Sequence, residues 1–100
     1  MNSKIKRFAE LLEKEQAERY ASDYPASDPP KVRVIPGNKY VKVDVGNSGF
    51  YMVDGDKIYG VKAYGVIHRG HQYGTLDTID EWEWGGYKAI HKSKIYRRKI

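Results

Sequence analysis

Two histidines lie close together in the sequence and raise the question of a metal site. His68 and His71 are separated by two residues, and Asp77 follows them. Two imidazoles and a carboxylate are a ligand set of hydrolytic zinc and non-haem iron sites, because they leave coordination positions open for water and substrate. The spacing does not fix both rings on one face in a glycine-interrupted segment, and two surface or turn histidines explain it as well. A metal-dependent hydrolase is therefore the third hypothesis, behind two kinds of binding protein, and we expect no cofactor.

Most other catalytic chemistry is excluded by what the sequence lacks. Cysteine is absent, which removes thiolate metal sites and cysteine nucleophiles. The sequence has no glycine-rich loop followed by Lys-Ser or Lys-Thr and no Gly-x-Gly-x-x-Gly pattern, so it has no phosphate-binding loop of a known kind. Asp54 and Asp56 flank Gly55 in a hairpin signal, and the further oxygen ligands of a calcium loop are missing. The sequence favours a non-catalytic binding protein over an enzyme.

Positive charge is concentrated at the C-terminal end of a basic chain. The net charge is +5, and the acid-free segment 88–100 holds six cations: Lys88, Lys92, Lys94, Arg97, Arg98 and Lys99. A segregated basic segment favours a polyanionic partner such as nucleic acid.

Cations also alternate with tyrosines in the strand-like part of the chain. If the first two predicted strands pair, Lys31, Arg33, Tyr40 and Lys42 share one solvated face. Cations that contact phosphate, interleaved with rings on which bases stack, are typical of single-strand binding proteins. Tyrosine is also a good strand former, which explains the same residues without a ligand. The predicted nucleic-acid-binding residues are Lys31, Arg33, Tyr40, Lys42, Tyr64, Lys92, Lys94, Arg97 and Arg98.

Two tryptophans alternate with acids in segment 80–87. In an extended chain Trp82 and Trp84 point to one side, and Glu81 and Glu83 point to the other. Tryptophan often anchors protein interfaces, so the pair predicts a module that inhibits or redirects a host or defence protein. The alternative is that both indoles cover the core of a small sheet.

The element that begins the chain is predicted to be an amphipathic helix. Ile5, Phe8 and Leu12 recur at helical spacing, and Pro25 ends the helix near residues 21–23. An isolated helix of this length is barely stable, so we expect it to pack on its own body, with a homodimer as the alternative. The chain then divides into a helical arm, a Pro-rich linker and a β-rich body with a basic tail, at residues 1–24, 25–30 and 31–100.

The body is predicted to be a small sheet. Alternating apolar residues and turn signals predict strands over 31–35, 39–45, 50–53 and 57–59, and the glycines from residue 60 onward leave the next region unassigned. Segment 76–84 is ambiguous between a short helix and irregular structure, and 87–96 is predicted as a last strand, with a helix as the alternative. The fold class is α+β, an N-terminal helix followed by a small antiparallel sheet or partly open barrel.

Residues 60–71 (GVKAYGVIHRGH) and 73–78 (YGTLDT) resemble small uncharacterised proteins of tailed bacteriophages, especially those infecting actinobacteria. The likeness extends over residues 31–87 and carries no activity or site residue. It implies a phage product in the cytoplasm of its host, where it binds nucleic acid or a host protein. The sequence contains no apolar run of membrane-spanning length and no secretory signal, so we expect no membrane partner.

Overall fold

The computed structural model describes residues 3–46, 48–63, 66–86 and 88–97. A long helix, α1 (Ser3–Asp23), precedes a five-stranded antiparallel sheet whose strands lie side by side in chain order. The fold is α+β as predicted, and the sheet is open rather than closed into a barrel. No helix in the described part of the chain has the length and apolar character needed to cross a membrane. The strands are β1 (Val32–Pro36), β2 (Val41–Val45), β3 (Ser48–Asp54), β4 (Lys57–Ala63) and β5 (Val66–Thr75).

A small C-terminal unit completes the fold. A 3-10 turn (Ile79–Glu81) leads into β6 (Trp82–Glu83), which pairs antiparallel with β7 (Ile90–His91). A short helix, α2 (Lys92–Arg97), follows directly. The prediction of a last strand over 87–96 is therefore wrong for most of its length. β6 offers only two residues for pairing, and His91 Nδ1 accepts a hydrogen bond from the Ser93 N–H at 3.2 Å, which caps the first turn of α2.

The β4–β5 hairpin occupies the region after residue 60 that the sequence pattern left unassigned. Its register shifts at three points, so the alternation of side chains is broken along the ladder. At Gly60 an added Cβ would lie 3.3 Å from side-chain atoms of both His71 and Tyr73. Glycine weakens a strand signal in the sequence. Here the missing side chain of Gly60 leaves room for the His71 and Tyr73 side chains of the neighbouring strand β5.

Helix α1 packs on one face of the sheet, which confirms that it docks on its own body. The helical residues Ile5, Phe8 and Leu12 are buried in one apolar cluster with residues of the sheet and the C-terminal unit. Three perpendicular ring contacts lie at its centre: Phe8–Trp84 at 4.8 Å, Tyr51–Trp84 at 5.3 Å and Phe8–Tyr51 at 5.9 Å between ring centroids. Aromatic pairs in this geometry stabilise a core beyond the area that they bury.

Polar side chains of α1 hold the backbone of the C-terminal unit. Glu15 Oε1 accepts a hydrogen bond from the Trp84 N–H at 2.7 Å, and Gln16 Nε2 donates to the carbonyl oxygens of Trp84 and Gly86 at 2.6 and 3.1 Å. Gly85 permits this approach, because a Cβ there would lie 3.0 Å from the Glu15 carbonyl oxygen. The position of segment 84–86 is therefore set by the helix.

We expect Phe8→Ala to lower the free energy of unfolding by about 3–5 kcal/mol, because it empties the centre of the core. Urea denaturation followed by tryptophan fluorescence measures the change. Tyr24→Ala is the control, because it removes another aromatic ring from the N-terminal part of the chain, one that is 58% exposed. Its loss should change the free energy of unfolding by about 0.5 kcal/mol or less. Equal stability of Phe8→Ala and the unaltered protein would contradict the packing described here.

Candidate nucleic-acid interface

A groove of about 660 Å³ runs between the free edge of β5 and the C-terminal unit. β5 is the last strand of the sheet, and residues 70–73 form one wall. Residues 88–91 and Lys94 form the opposite wall, and Trp82 lies between the two. We call this feature the β5 groove.

The aromatic lining of the β5 groove is centred on Trp82. The Trp82 ring is perpendicular to Tyr73 at 5.8 Å and to His91 at 5.1 Å between centroids. Tyr73 and Trp82 are half-buried and pack against the apolar core, so their rings are held in place. They offer flat apolar surface of the kind on which a nucleobase stacks.

A tight turn after β5 places Trp82 in this groove. Gly74 has a φ of 70°, and a Cβ there would lie 2.7 Å from the indole Nε1 of Trp82. Thr78 Oγ1 accepts a hydrogen bond from the Thr75 N–H at 2.9 Å and closes the turn. The sequence Gly-Thr-x-x-Thr thus brings the indole against the end of the strand.

The charge of the β5 groove is positive. Among the described residues that line it, every charged side chain is basic, namely Lys88 and Lys94. His68 lies beside the groove, with its ring 4.0 Å from that of the lining residue His71. Desolvation lowers the pKa of His68, and His71, Lys62 and Lys88 lower it further because they disfavour another positive charge. The site therefore suits an anion.

The sheet-face residues predicted from the sequence lie on β1 and β2, away from the lining of this groove. The register pairs Arg33 with Asp44 and Ile35 with Lys42, so Arg33 and Lys42 share a face as predicted. Asp44 is buried on that face, and its carboxylate lies 3.8 Å from the Arg33 guanidinium. Lys31 is exposed just before β1. An acid within the fold thus offsets part of the positive charge on this face.

Tyr40 is engaged by a cation of the same chain. The Arg69 guanidinium donates to the Tyr40 hydroxyl at 2.8 Å and to Asp54 at 3.0 Å. It also lies 5.5 Å from the Tyr40 ring centroid and 5.3 Å from that of Tyr59. The Arg69 hydrogen bond lowers the pKa of Tyr40. The structure therefore explains Tyr40 as an internal cation–π partner, where the sequence suggested a stacking platform.

The predicted C-terminal cations are placed only in part. Lys94 lines the β5 groove, whereas Lys92 is half-buried near Glu15. Burial raises the pKa of Glu15, and the Trp84 N–H bond and Lys92 oppose that shift. Arg97 ends α2, and Tyr64 and Arg98 lie outside the described residues.

The tryptophan pair is divided between the core and the groove. Trp84 is fully buried, and its indole N–H donates to the Ile79 carbonyl oxygen at 2.8 Å. The prediction that Trp84 anchors a protein interface is therefore wrong, because the ring is needed inside the core. Trp82 alone remains open to a partner.

The predicted metal ligands are not assembled into a site. Asp77 forms an ion pair with Lys4 of α1 at 2.9 Å. His68 and His71 do lie together, but the described residues contain no group of three histidine, aspartate or glutamate side chains able to hold a metal ion. Two imidazoles alone do not make the three-ligand set of a hydrolytic centre.

Three groove residues were missed by the sequence analysis: Tyr73, Lys88 and His91. Tyr73 follows His71 by two residues on the same strand, and that alternation was the signal that could have found it. Lys88 belongs to the acid-free C-terminal segment, so charge indicated it in general terms. Its place in the groove, like that of His91, depends on the pairing of β6 with β7.

The chain matches no protein-family model, no curated protein and no solved structure. Its function is therefore argued from the site alone.

We expect the stability of the protein to fall as the pH is lowered below about 6.5, the ordinary pKa of histidine. The pKa of His68 is lowered by folding, so the folded protein takes up a proton less readily than the unfolded chain. The stability that neutral His68 contributes is complete above the unfolded pKa and is lost as the pH falls through the lowered one.

Thermal unfolding followed by circular dichroism between pH 7.5 and pH 5 measures this effect. His68→Gln should reduce the acid-dependent drop in Tm, and Lys62→Gln should reduce it in the same direction. If Tm depends on pH identically in His68→Gln and the unaltered protein, the His68 ring does not cause the loss of stability at low pH.

Proposed function

We propose that this chain is a non-catalytic accessory protein of the bacteriophage type that binds nucleic acid in the β5 groove. The observation that carries the proposal is the combination of aromatic rings packed edge to face with a lining whose charged side chains are all basic among the described residues. Nucleic-acid binding needs cations for phosphate and flat rings for bases, and this groove supplies both.

The charge balance favours the groove over the β1–β2 face. The two arginines that the structure describes near that face are each close to a carboxylate, Arg33 to Asp44 and Arg69 to Asp54. An arginine already paired with an acid contributes less free energy to the binding of a phosphate. In contrast, the described lining of the groove contains Lys88 and Lys94 and no acid, although Glu81 lies 3.4 Å from the lining residue His91. The two lysines also precede further cations in the C-terminal sequence.

A protein partner is the second candidate, and one feature of the groove supports it. Ile90 is 45% exposed and lines the groove together with Trp82, so one part of the surface is apolar. An exposed aliphatic side chain beside a tryptophan suits the hot spot of a protein interface. A host or defence protein bound there would bury this pair, and its affinity would depend only weakly on salt. In both readings the proposed location is the cytoplasm of the host cell.

We expect binding of a single-stranded oligonucleotide to weaken steeply with salt, because each neutralised phosphate contributes about −0.7 to the slope of log affinity against log salt concentration. Fluorescence anisotropy between about 50 and 200 mM salt measures that slope. Lys88→Gln and Lys94→Gln should each make it shallower by about 0.7.

Lys31→Gln is the matched control, because it removes the same charge from an exposed position outside the lining of the groove. If Lys31→Gln flattens the slope and the two groove variants do not, the β1–β2 face is the binding surface. If no oligonucleotide binds at low salt, the proposal fails.

A further inference from the structure

The buried hydroxyl of Tyr51 has no hydrogen-bond partner among the described residues. Tyr51 is only 2% exposed and its ring is central to the core. The Ala89 backbone approaches the hydroxyl closely enough to oppose the rise in its pKa, but the contact falls outside hydrogen-bond geometry. A buried hydroxyl without a partner is unfavourable and calls for an explanation, such as a bound molecule that completes it.

Tyr51 lines a recess of about 170 Å³ that is continuous with the β5 groove. The recess and the groove share three lining residues, His71, Tyr73 and Lys88. Tyr73 and the Ala89 backbone both act on the pKa of the Tyr51 hydroxyl, and both residues line the groove, which places the hydroxyl near the groove wall. Pockets for drug-sized ligands begin at about 300 Å³, so the recess suits a single ring rather than a whole ligand.

The walls of the recess suit a flat heteroaromatic ring. Tyr73 presents an aromatic side chain, and Gly60 leaves one side without a side chain. Burial raises the pKa of Tyr51, with a smaller contribution from Tyr73, so the hydroxyl keeps its proton. It can then donate one hydrogen bond and accept others, as the edge of a nucleobase also does.

We propose that the recess is a pocket for one unpaired nucleobase, which hydrogen-bonds to the Tyr51 hydroxyl while its phosphate lies at Lys88. This inference rests on the proposed nucleic-acid function and narrows its ligand to single strands. A base in a duplex has its pairing edge occupied and its faces stacked, so it cannot enter the recess. Phosphates of a duplex can still reach the lysines, and duplex binding is correspondingly weaker.

Tyr51→Phe tests the pocket, because it deletes only the hydroxyl. The probes are a single-stranded oligonucleotide of mixed sequence, the same strand annealed to its complement, and an abasic oligonucleotide of equal length. We expect the substitution to weaken binding of the single strand about 3- to 10-fold, the loss of one hydrogen bond, with an unchanged salt slope. The affinity for the abasic probe should not change. Urea denaturation should show that Tyr51→Phe is at least as stable as the unaltered protein, because the hydroxyl that it loses has no described partner.

Gly60→Ala is the second variant, in which the added Cβ lies 3.3 Å from His71 and Tyr73 and narrows the recess. It should also weaken binding of the single strand and leave the abasic probe unaffected. If neither variant affects the single strand, or if the duplex binds as tightly as the single strand, the recess holds only water and the inference is wrong. If the abasic probe binds and its affinity depends on Lys88, the proposed nucleic-acid function holds even without the base pocket. If none of the three probes binds, both the pocket and the nucleic-acid function are wrong.

Discussion

Three aromatic rings from distant parts of the chain meet at the centre of this protein, and the geometry of its surface depends on them. Phe8 comes from α1, Tyr51 from β3 and Trp84 from the end of β6. Trp84 fixes the C-terminal unit against the sheet, and this places Trp82 two residues earlier in the β5 groove. Tyr51 belongs both to this cluster and to the recess. The core therefore positions the candidate site directly, without an intervening layer of structure.

The helix and the first strands were predictable because their signals are local. Ile5, Phe8 and Leu12 repeat at helical spacing, and all three are buried on the sheet. The region after Gly60 was not predictable, since glycine weakens the strand pattern where close packing requires it. The same limit applies to α2. Its cap is a histidine side chain, and its start depends on the pairing of two short strands.

The sequence predicted the residue types of the candidate site, but only some of its positions. Composition indicated cations and aromatic rings, but it gave no information about which cations are paired with acids in the fold. Arg33 lies beside the buried Asp44, and Arg69 is held by Asp54 and Tyr40. Such pairs join residues far apart in sequence, and their partners depend on strand register. Lys88 lies in a groove whose described lining contains no acid, and only the tertiary structure shows this.

The hydrogen bonds that join Glu15 and Gln16 to Trp84 connect residues 69 and 68 positions apart, and this separation limits the order in which the protein can form during synthesis. The helix leaves the ribosome before its docking partner, which follows 68 residues later. Until residue 84 has emerged, Phe8 can meet Tyr51 of the sheet but has no Trp84 to pack against, so part of the apolar stripe of α1 stays in contact with water. Native contacts at such separation slow folding, because a long loop must close before they form. The complete docking of α1 is therefore among the last steps of folding.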